Sequence, residues 1–355
     1  MMKEGFLATA LCMLCYVPSM HDAKGLPKPF SVAVYIMTDT TYEKLFQYSK
    51  LAEEFVLTAL NGATLKYASG FRNAHIRLVP TGRALIREEY SFVKVRGDGN
   101  LDGEKSLDLF QRTAASVHND AQGGVKEVAL FITGRKICES STSDDHCYVV
   151  KGVAAPRSLC TNSSAAIITL TTDIQESTDR IATYVGEILG AGAREGGVSH
   201  YRPDAIFDDL AEENMIAYLQ TLNRTCLPVL KSPPYFFTPG SRFHGYSYCK
   251  SKLPGRPDVR FCGDTEHLSR CQIPCCSPGH HVTAVYTAPD GTPCDDMRHD
   301  EPLTGDATWS NTFEFMERKL CYSGTCDVTA HDLQNILLTD ASRYPSRTPL
   351  NIGFS

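Results

Sequence analysis

Cysteine placement is the strongest constraint on how this chain folds. Of its 14 cysteines, Cys12 and Cys15 fall in an N-terminal apolar segment, only Cys138, Cys147, Cys160 and Cys226 come before residue 240, and the rest crowd between Cys249 and Cys326. A long cysteine-poor stretch can bury an ordinary apolar core, whereas a short cysteine-dense stretch depends on cross-links. Two folded domains are therefore expected, over residues 24–229 and 230–328, with a signal peptide at 1–23 and a tail at 329–355.

The signal is read from a weakly basic start followed by the apolar run Phe6–Val17, which is too short to span a bilayer. Cleavage is expected after Ser19 or nearby, by about Ala23. No later segment is long and apolar enough for a membrane helix, so the expectation is a secreted protein in an oxidising compartment, with no membrane span. Asn162-Ser-Ser and Asn223-Arg-Thr are N-glycosylation sequons, a triplet that also arises by chance. A net charge of -6 supplies no basic field for nucleic acid.

Within the first domain, strand-like runs alternate with helical patterns. Ser31–Thr38, His75–Pro80, Val128–Thr133 and Ala166–Thr171 read as short buried strands, and Tyr42–Ser69, Ser106–His118 and Asp209–Asn223 read as helices. Alternation of this kind predicts an α/β sandwich with a mostly parallel central sheet. Pro228, Pro233, Pro234 and Pro239-Gly240 mark a linker or extended strap. A further helix is read over Ala330–Leu338.

The segment Val185–Gly197 has the layout of a zinc-protease helix without its zinc ligands. Ile181, Tyr184, Val185, Ile188 and Leu189 form one apolar stripe, with Ser177 or Thr178 as N-cap. Gly186, Glu187 and Gly190 are expected on the opposite face, both glycines in the helix interior. In the motif H-E-x-x-H-x-x-G-x-x-H, histidines hold zinc and the glutamate deprotonates its water. Laid over this chain, the general-base position falls on Glu187, the three ligand positions on Gly186, Gly190 and Gly196, and the turn glycine on Ala193. The plainer alternative is an amphipathic helix with a glutamate on its wet face.

With these residues, and with Lys151–Cys160, Leu222–Leu227, Lys252–Gly255, Cys275-Cys276, Ala288–Cys294 and Cys321–Cys326, the chain resembles a reprolysin-type (adamalysin) metzincin metalloprotease of the kind secreted in tick saliva. The resemblance covers roughly residues 30 to 328. It implies a metzincin-like sandwich followed by a small disulfide-rich domain, a Cys160–Cys226 disulfide, a Cys138–Cys147 loop, and a zinc-protease ancestry. The pattern departs from the family in its missing histidines, in Ala193, in the lack of a recognisable Met-turn (Met215 sits in a helical pattern), and in a protease-like domain expected directly after the signal, without an inhibitory pro-segment.

Zinc in a catalytic site needs about three protein ligands, so no cofactor is expected and Glu187 is read as a vestigial base. Glu195 and His200 are the substitutes that a zinc endopeptidase with non-standard ligands would recruit. The cluster Ser199, His200 and Asp204 is read as a solvated loop, not a triad, and His280-His281 beside Cys275 and Cys276 as neighbours of disulfides. Tyr235–Cys249 carries Phe236, Phe237, Arg242, Phe243, Tyr246 and Tyr248, residue types that anchor interfaces; the alternative is that they pack the second domain onto the first. The expected function is a catalytically inactive homologue that binds host extracellular proteins of haemostasis, matrix or immunity. The alternatives are an active zinc metalloendopeptidase and an antigenic or structural secreted protein.

Overall fold

The computed structural model describes residues 30–46, 49–70, 76–86, 91–120, 126–140, 147–192, 207, 209–223, 226, 238–242, 245–253, 255–256, 258–263, 265–279, 282–294, 318–329 and 332–333. The first part runs β1 (Phe30–Asp39), α1 (Thr40–Glu43), α2 (Ser49–Gly70), β2 (Ile76–Ile86), β3 (Leu101–Asp102), α3 (Gly103–Asp120), β4 (Val128–Thr133), β5 (Ile137–Ser140), β6 (Cys147–Val150), β7 (Gly152–Ala154), β8 (Ala165–Thr169), α4 (Ile174–Ile188) and α5 (Asp209–Thr221). Five of these strands form one sheet in the order β2-β1-β4-β8-β7. The first four are mutually parallel and β7 is an antiparallel edge.

The strands read as unbroken apolar runs because both faces of the sheet are covered. Period-two alternation assigns each side chain to one face. Val32, Val34, Ile36, Leu130, Ile132, Ala166 and Ile168 share a core with residues of α2, α4 and α5. Tyr35, Met37, Ala129, Phe131, Ala165 and Ile167 face the other way, toward Phe110 of α3 and toward Phe92. The result is a three-layer α/β arrangement, and the mostly parallel sheet expected from the sequence is present.

Two local readings are corrected. Helix α4 is capped four residues or more before the expected cap at Ser177 or Thr178: its N-cap is Asp173, whose carboxylate accepts from the Gln175 and Glu176 amides at 2.9 and 3.0 Å. Ser177 and Thr178 lie inside the helix and are buried. An aspartate outcompetes them because it both fills two orphan N–H groups and places negative charge at the positive end of the helix dipole. The short β3-β5-β6 sheet was not anticipated from the sequence; β5 and β6 are an antiparallel pair closed by the Cys138–Cys147 disulfide.

The second part contains a 3-10 turn (Pro239–Arg242), α6 (Gly245–Lys252), β9 (Arg260–Phe261), α7 (Thr265–Ser269), β10 (Gln272–Cys276), β11 (Val282–Thr287), β12 (Lys319–Tyr322) and β13 (Thr325–Thr329). Disulfides Cys249–Cys275, Cys262–Cys276, Cys271–Cys321 and Cys294–Cys326 knit it together. Of the sequence-read helix Ala330–Leu338, only residues 332–333 are described.

The stretch read as a linker is, at its end, a buried wedge. Thr238, Pro239 and Gly240 are all buried. A Cβ added to Gly62 of α2 would lie 2.6 Å from Pro239 and 2.7 Å from Thr178 of α4, so the proline sits where only a glycine leaves room. On its other side the Gly240 amide donates to the Asp290 carbonyl at 2.7 Å, and a side chain at Gly240 would run into the backbone of Thr292. Tyr322 adds a bond to the Leu65 carbonyl at 3.4 Å, and Leu320 and Leu333 pack on Leu65. The two parts are thus joined through close backbone packing as well as through the chain.

Candidate functional site

Helix α4 ends where the zinc-motif reading places a second ligand. Leu189 is the C-cap, and Gly190 follows with φ +99°. The Ala191 amide donates to the Gly186 carbonyl at 2.9 Å and the Gly190 amide to the Glu187 carbonyl at 3.0 Å. This pair of bonds around a left-handed glycine is the Schellman arrangement. Gly190 is therefore the residue that stops the helix, not an interior one, and its conformation is the reason a glycine stands there. A neighbouring turn adds to this: the Arg157 amide is a second donor to the Glu187 carbonyl at 3.0 Å, and the Leu159 amide satisfies one further carbonyl, that of Ile188, at 3.4 Å.

Both glycines are buried, against the expectation of an open wet face, and aromatic rings explain why. The ring of Phe207 lies over Gly186, so that an added Cβ would come within 2.6 Å of its Cε1. Phe207 in turn stacks on Tyr67 of α2, with ring centroids 5.2 Å apart and planes at 17°. The Tyr67 hydroxyl donates to the Ala182 carbonyl of α4 at 2.7 Å. At Gly190 an added Cβ would meet the Cβ of Tyr218 at 2.8 Å. Tyr218, on α5, donates to the carbonyls of Arg157 and Leu159 at 2.7 and 3.1 Å. The space that imidazoles at 186 and 190 would need is occupied by side chains from α5 and the segment before it.

Glu187 is half-buried beside two phenols. Burial, and then the Glu187 charge, raise the pKa of Tyr67 well above its ordinary value; the same two causes raise Tyr184 to about 12. Both phenols therefore stay protonated at neutral pH, as hydrogen-bond donors beside a carboxylate. This constellation supplies no strong nucleophile. Gly196, Ala193, Glu195, Ser199, His200 and Asp204 lie outside the described residues. Met215, which the sequence places in a helix, is buried in α5.

Among the described residues, two groups of three side chains have donor atoms close enough to share a metal ion: Cys271, Cys294 and Cys321, and Asp98, Cys138 and Cys147. Every cysteine in both groups is in a disulfide, and the metal-binding form of cysteine is the thiolate. Neither set fits a metal centre.

Of the aromatic patch, Tyr248 is corrected from interface anchor to packing residue. It is buried, donates to the Thr287 carbonyl at 3.1 Å, and packs edge-on against Tyr286 at 6.2 Å. Arg242 and Tyr246 lie in the 3-10 turn and α6, with their side chains outside the described residues, as are Phe236, Phe237 and Phe243 altogether. Asn162 and Asn223 are both exposed, and the disulfide partners Cys160 and Cys226 flank them in sequence, one before Asn162 and one after Asn223.

One polar cluster went unread in the sequence. At the carboxyl ends of β1 and β4, Asp39 accepts from Thr133 Oγ1 at 2.6 Å, from Thr41 Oγ1 at 2.7 Å and from the Tyr42 amide at 2.8 Å. Open α/β sheets often bind ligands at this edge. Here three donors already fill the carboxylate, which makes it the N-cap of α1 and a tie between strands. An aspartate directly after an apolar strand, followed by Thr-Thr, is the cap signal that would have found it.

No family model matches the chain. No curated protein matches it either. A solved structure titled "Structure of a chaperone-substrate complex" aligns over 46% of this chain and 26% of that one, with 9% identity and a TM-score of 0.30. A likeness at that level carries no argument about fold or function. Among the described residues no helix is long and apolar enough to cross a membrane, and six disulfides fit an extracellular, oxidising setting.

Proposed function

We propose that this chain is a secreted, reprolysin-like pseudoprotease that acts by binding proteins outside the cell. The observation that carries the reading is the occupation of the α4 end by aromatic rings: Phe207 seated on Gly186 and Tyr218 against Gly190. A catalytic zinc site must present open ligand positions around a water. Here two of those positions are glycines whose missing side chains are part of the packing. Gly190 also performs the turn that the motif assigns to its own glycine. With Gly190 in that role, the ligand positions fall on Thr183, Glu187 and Ala193, and again no imidazole is among them. In the first register Glu187 lacks the acidified water it would deprotonate, and in the second the base position falls on Tyr184, a phenol that stays protonated, while Glu187 is the one ligand-type side chain of three.

The resemblance to salivary metalloproteases suggests partners in host haemostasis, extracellular matrix or immunity. That step rests on likeness alone, since fold does not imply function. The test is metal quantitation on full-length protein purified without chelator, together with a casein cleavage assay. Sub-stoichiometric zinc and no chelator-sensitive cleavage are expected. About one zinc per chain with chelator-sensitive cleavage overturns the reading in favour of a metalloendopeptidase. A saturable pull-down from plasma, abolished by changing Phe243 or Tyr246, supports a specific binder; failure to saturate favours an antigenic or structural role.

A further inference from the structure

Asn162 and Asn223 are 61 positions apart in sequence, yet the fold brings them to one corner. Asn162 follows Cys160 by two residues and Asn223 precedes Cys226 by three, and the two cysteines are bonded with their Cα atoms 5.7 Å apart. At 3.8 Å per residue the two asparagines are therefore within about 25 Å of each other even with both connections fully extended. The corner is held from the other side by Tyr218 of α5, which donates to Arg157 and Leu159 in the turn leading to Cys160. Both asparagines are exposed. The Asn162 Oδ1 accepts from Lys126 Nζ, which leaves its amide nitrogen available.

A second observation points to the same chemistry. Ser164, the hydroxyl residue of the first sequon, is fully buried, and its Oγ has no hydrogen-bond partner among the described residues. A buried hydroxyl without a partner is a net cost to a fold, and alanine would fill the place without it. The described residues give no reason for a serine here. Recognition of Asn-x-Ser before the chain folds does, because at that stage the hydroxyl is accessible.

We infer that Asn162 and Asn223 both carry N-linked oligosaccharides, which together cloak the Cys160–Cys226 corner and leave protein partners to dock elsewhere. The inference rests on the proposal that the chain enters the secretory pathway. In each modification the asparagine Nδ2 attacks the anomeric carbon of a lipid-pyrophosphate-linked oligosaccharide. A nitrogen–carbon bond forms, the carbon–oxygen bond to pyrophosphate breaks, the amide gives up one proton, and the lipid pyrophosphate leaves.

The experiment uses the full chain secreted from a eukaryotic host. Enzymatic release of N-glycans converts each occupied asparagine to aspartate, so peptide mass mapping of the unmutated protein reads both positions directly. Conversion at both Asn162 and Asn223 is expected, with Asn162→Gln, Asn223→Gln and Ser164→Ala each removing one glycan increment. Conversion at one position only, or at neither, overturns the inference. A secreted, disulfide-bonded but sugar-free chain sinks it while leaving secretion intact; a chain retained in the cell with free thiols sinks the secretory reading as well. For Ser164, the wild type and Ser164→Ala are also compared after refolding from bacteria, where neither is glycosylated. An unchanged or higher melting temperature is expected for the variant, and a clear drop shows that the hydroxyl has a structural role and removes the second argument.

Discussion

The sheet-bearing part and the cystine-rich part of this molecule reach a buried core by different means. In the first, Val, Ile, Leu and Phe from a parallel sheet fill two layers, and the disulfides Cys138–Cys147 and Cys160–Cys226 lie outside those layers' centres. In the second, the buried cluster contains Cys249, Cys271, Cys275, Cys294 and Cys321 beside only a few apolar side chains such as Val259, Ile273 and Ala288. The contrast follows from size. A short segment buries too little apolar surface to offset the entropy of ordering it, and cross-links lower that entropy in the unfolded state. Full reduction should therefore separate the two. Hydrogen exchange under dithiothreitol is expected to show loss of protection throughout β9–β13 while β1, β4 and β8 stay protected; simultaneous loss in both parts would break the comparison.

The reverse perturbation sharpens it. Phe131→Ala empties a fully buried position between Phe92 and Phe110, with ring centroids 5.2 and 5.8 Å away. Truncation of this kind costs about 3–5 kcal/mol, measured by urea unfolding. The loss is expected in the sheet-bearing transition, and a melt of the cystine-rich part should move little.

A somewhat smaller effect is expected at the α4 end. Gly186→His/Gly190→His restores two motif residues, yet it forces a side chain into the left-handed region at 190 and another into the Phe207 ring at 186. The combined destabilisation is roughly 2–4 kcal/mol, without gain of zinc-dependent cleavage. A double variant that binds zinc tightly at unchanged stability would show that the rings yield easily, contrary to the packing described.

The sequence disclosed the α/β alternation, the cysteine asymmetry and the helix carrying Glu187 because each has a long-range periodic or compositional signature. It did not disclose what the glycines in that helix were for. Gly186 owes its role to Phe207, 21 positions later, and Gly190 to a backbone conformation, and neither leaves a mark in local periodicity. The N-cap was misplaced for a related reason: Ser177 and Thr178 are cap-type residues, but Asp173 stands four residues nearer the strand and caps more strongly. Pro239-Gly240 read as a linker because Pro-Gly is a turn signal, while the pocket that buries it is built from Gly62 and Thr178, remote in the chain. Short strands such as β3 and β9 have two residues each, too few for any period to register.

Where the two parts meet, smaller effects can be separated. Asp173 caps α4 through one carboxylate oxygen, and its other oxygen lies 2.9 Å from Lys252 Nζ of α6. Asp173→Ala removes both interactions and is expected to cost about 1–2 kcal/mol. Lys252→Ala leaves the cap in place and should cost less than about 1 kcal/mol. Equal losses from the two variants, in urea melts followed by tryptophan-independent circular dichroism, would mean that the ion pair and not the cap holds this end of the helix.

The smallest effect is a pH dependence at the same junction. Burial raises the pKa of Asp290, with Lys66 pulling it back and Asp179 pushing the same way as burial. Its Oδ1 accepts from the Ser323 amide at 2.8 Å, while Lys66 is engaged with Asp179 at 2.9 Å. A carboxyl whose pKa is higher in the folded state takes up a proton on folding, so its contribution favours the folded state below the unfolded pKa and is lost as pH rises through the folded value. The junction should hold most firmly in mild acid. Asp290→Asn keeps an acceptor for Ser323 but cannot ionise, so it should flatten this part of the stability–pH profile and make the protein slightly more stable near neutral pH. If Asp290→Asn instead lowers stability near neutrality, attraction to Lys66 outweighs desolvation, and the two parts are joined by charge more than by the Pro239 wedge.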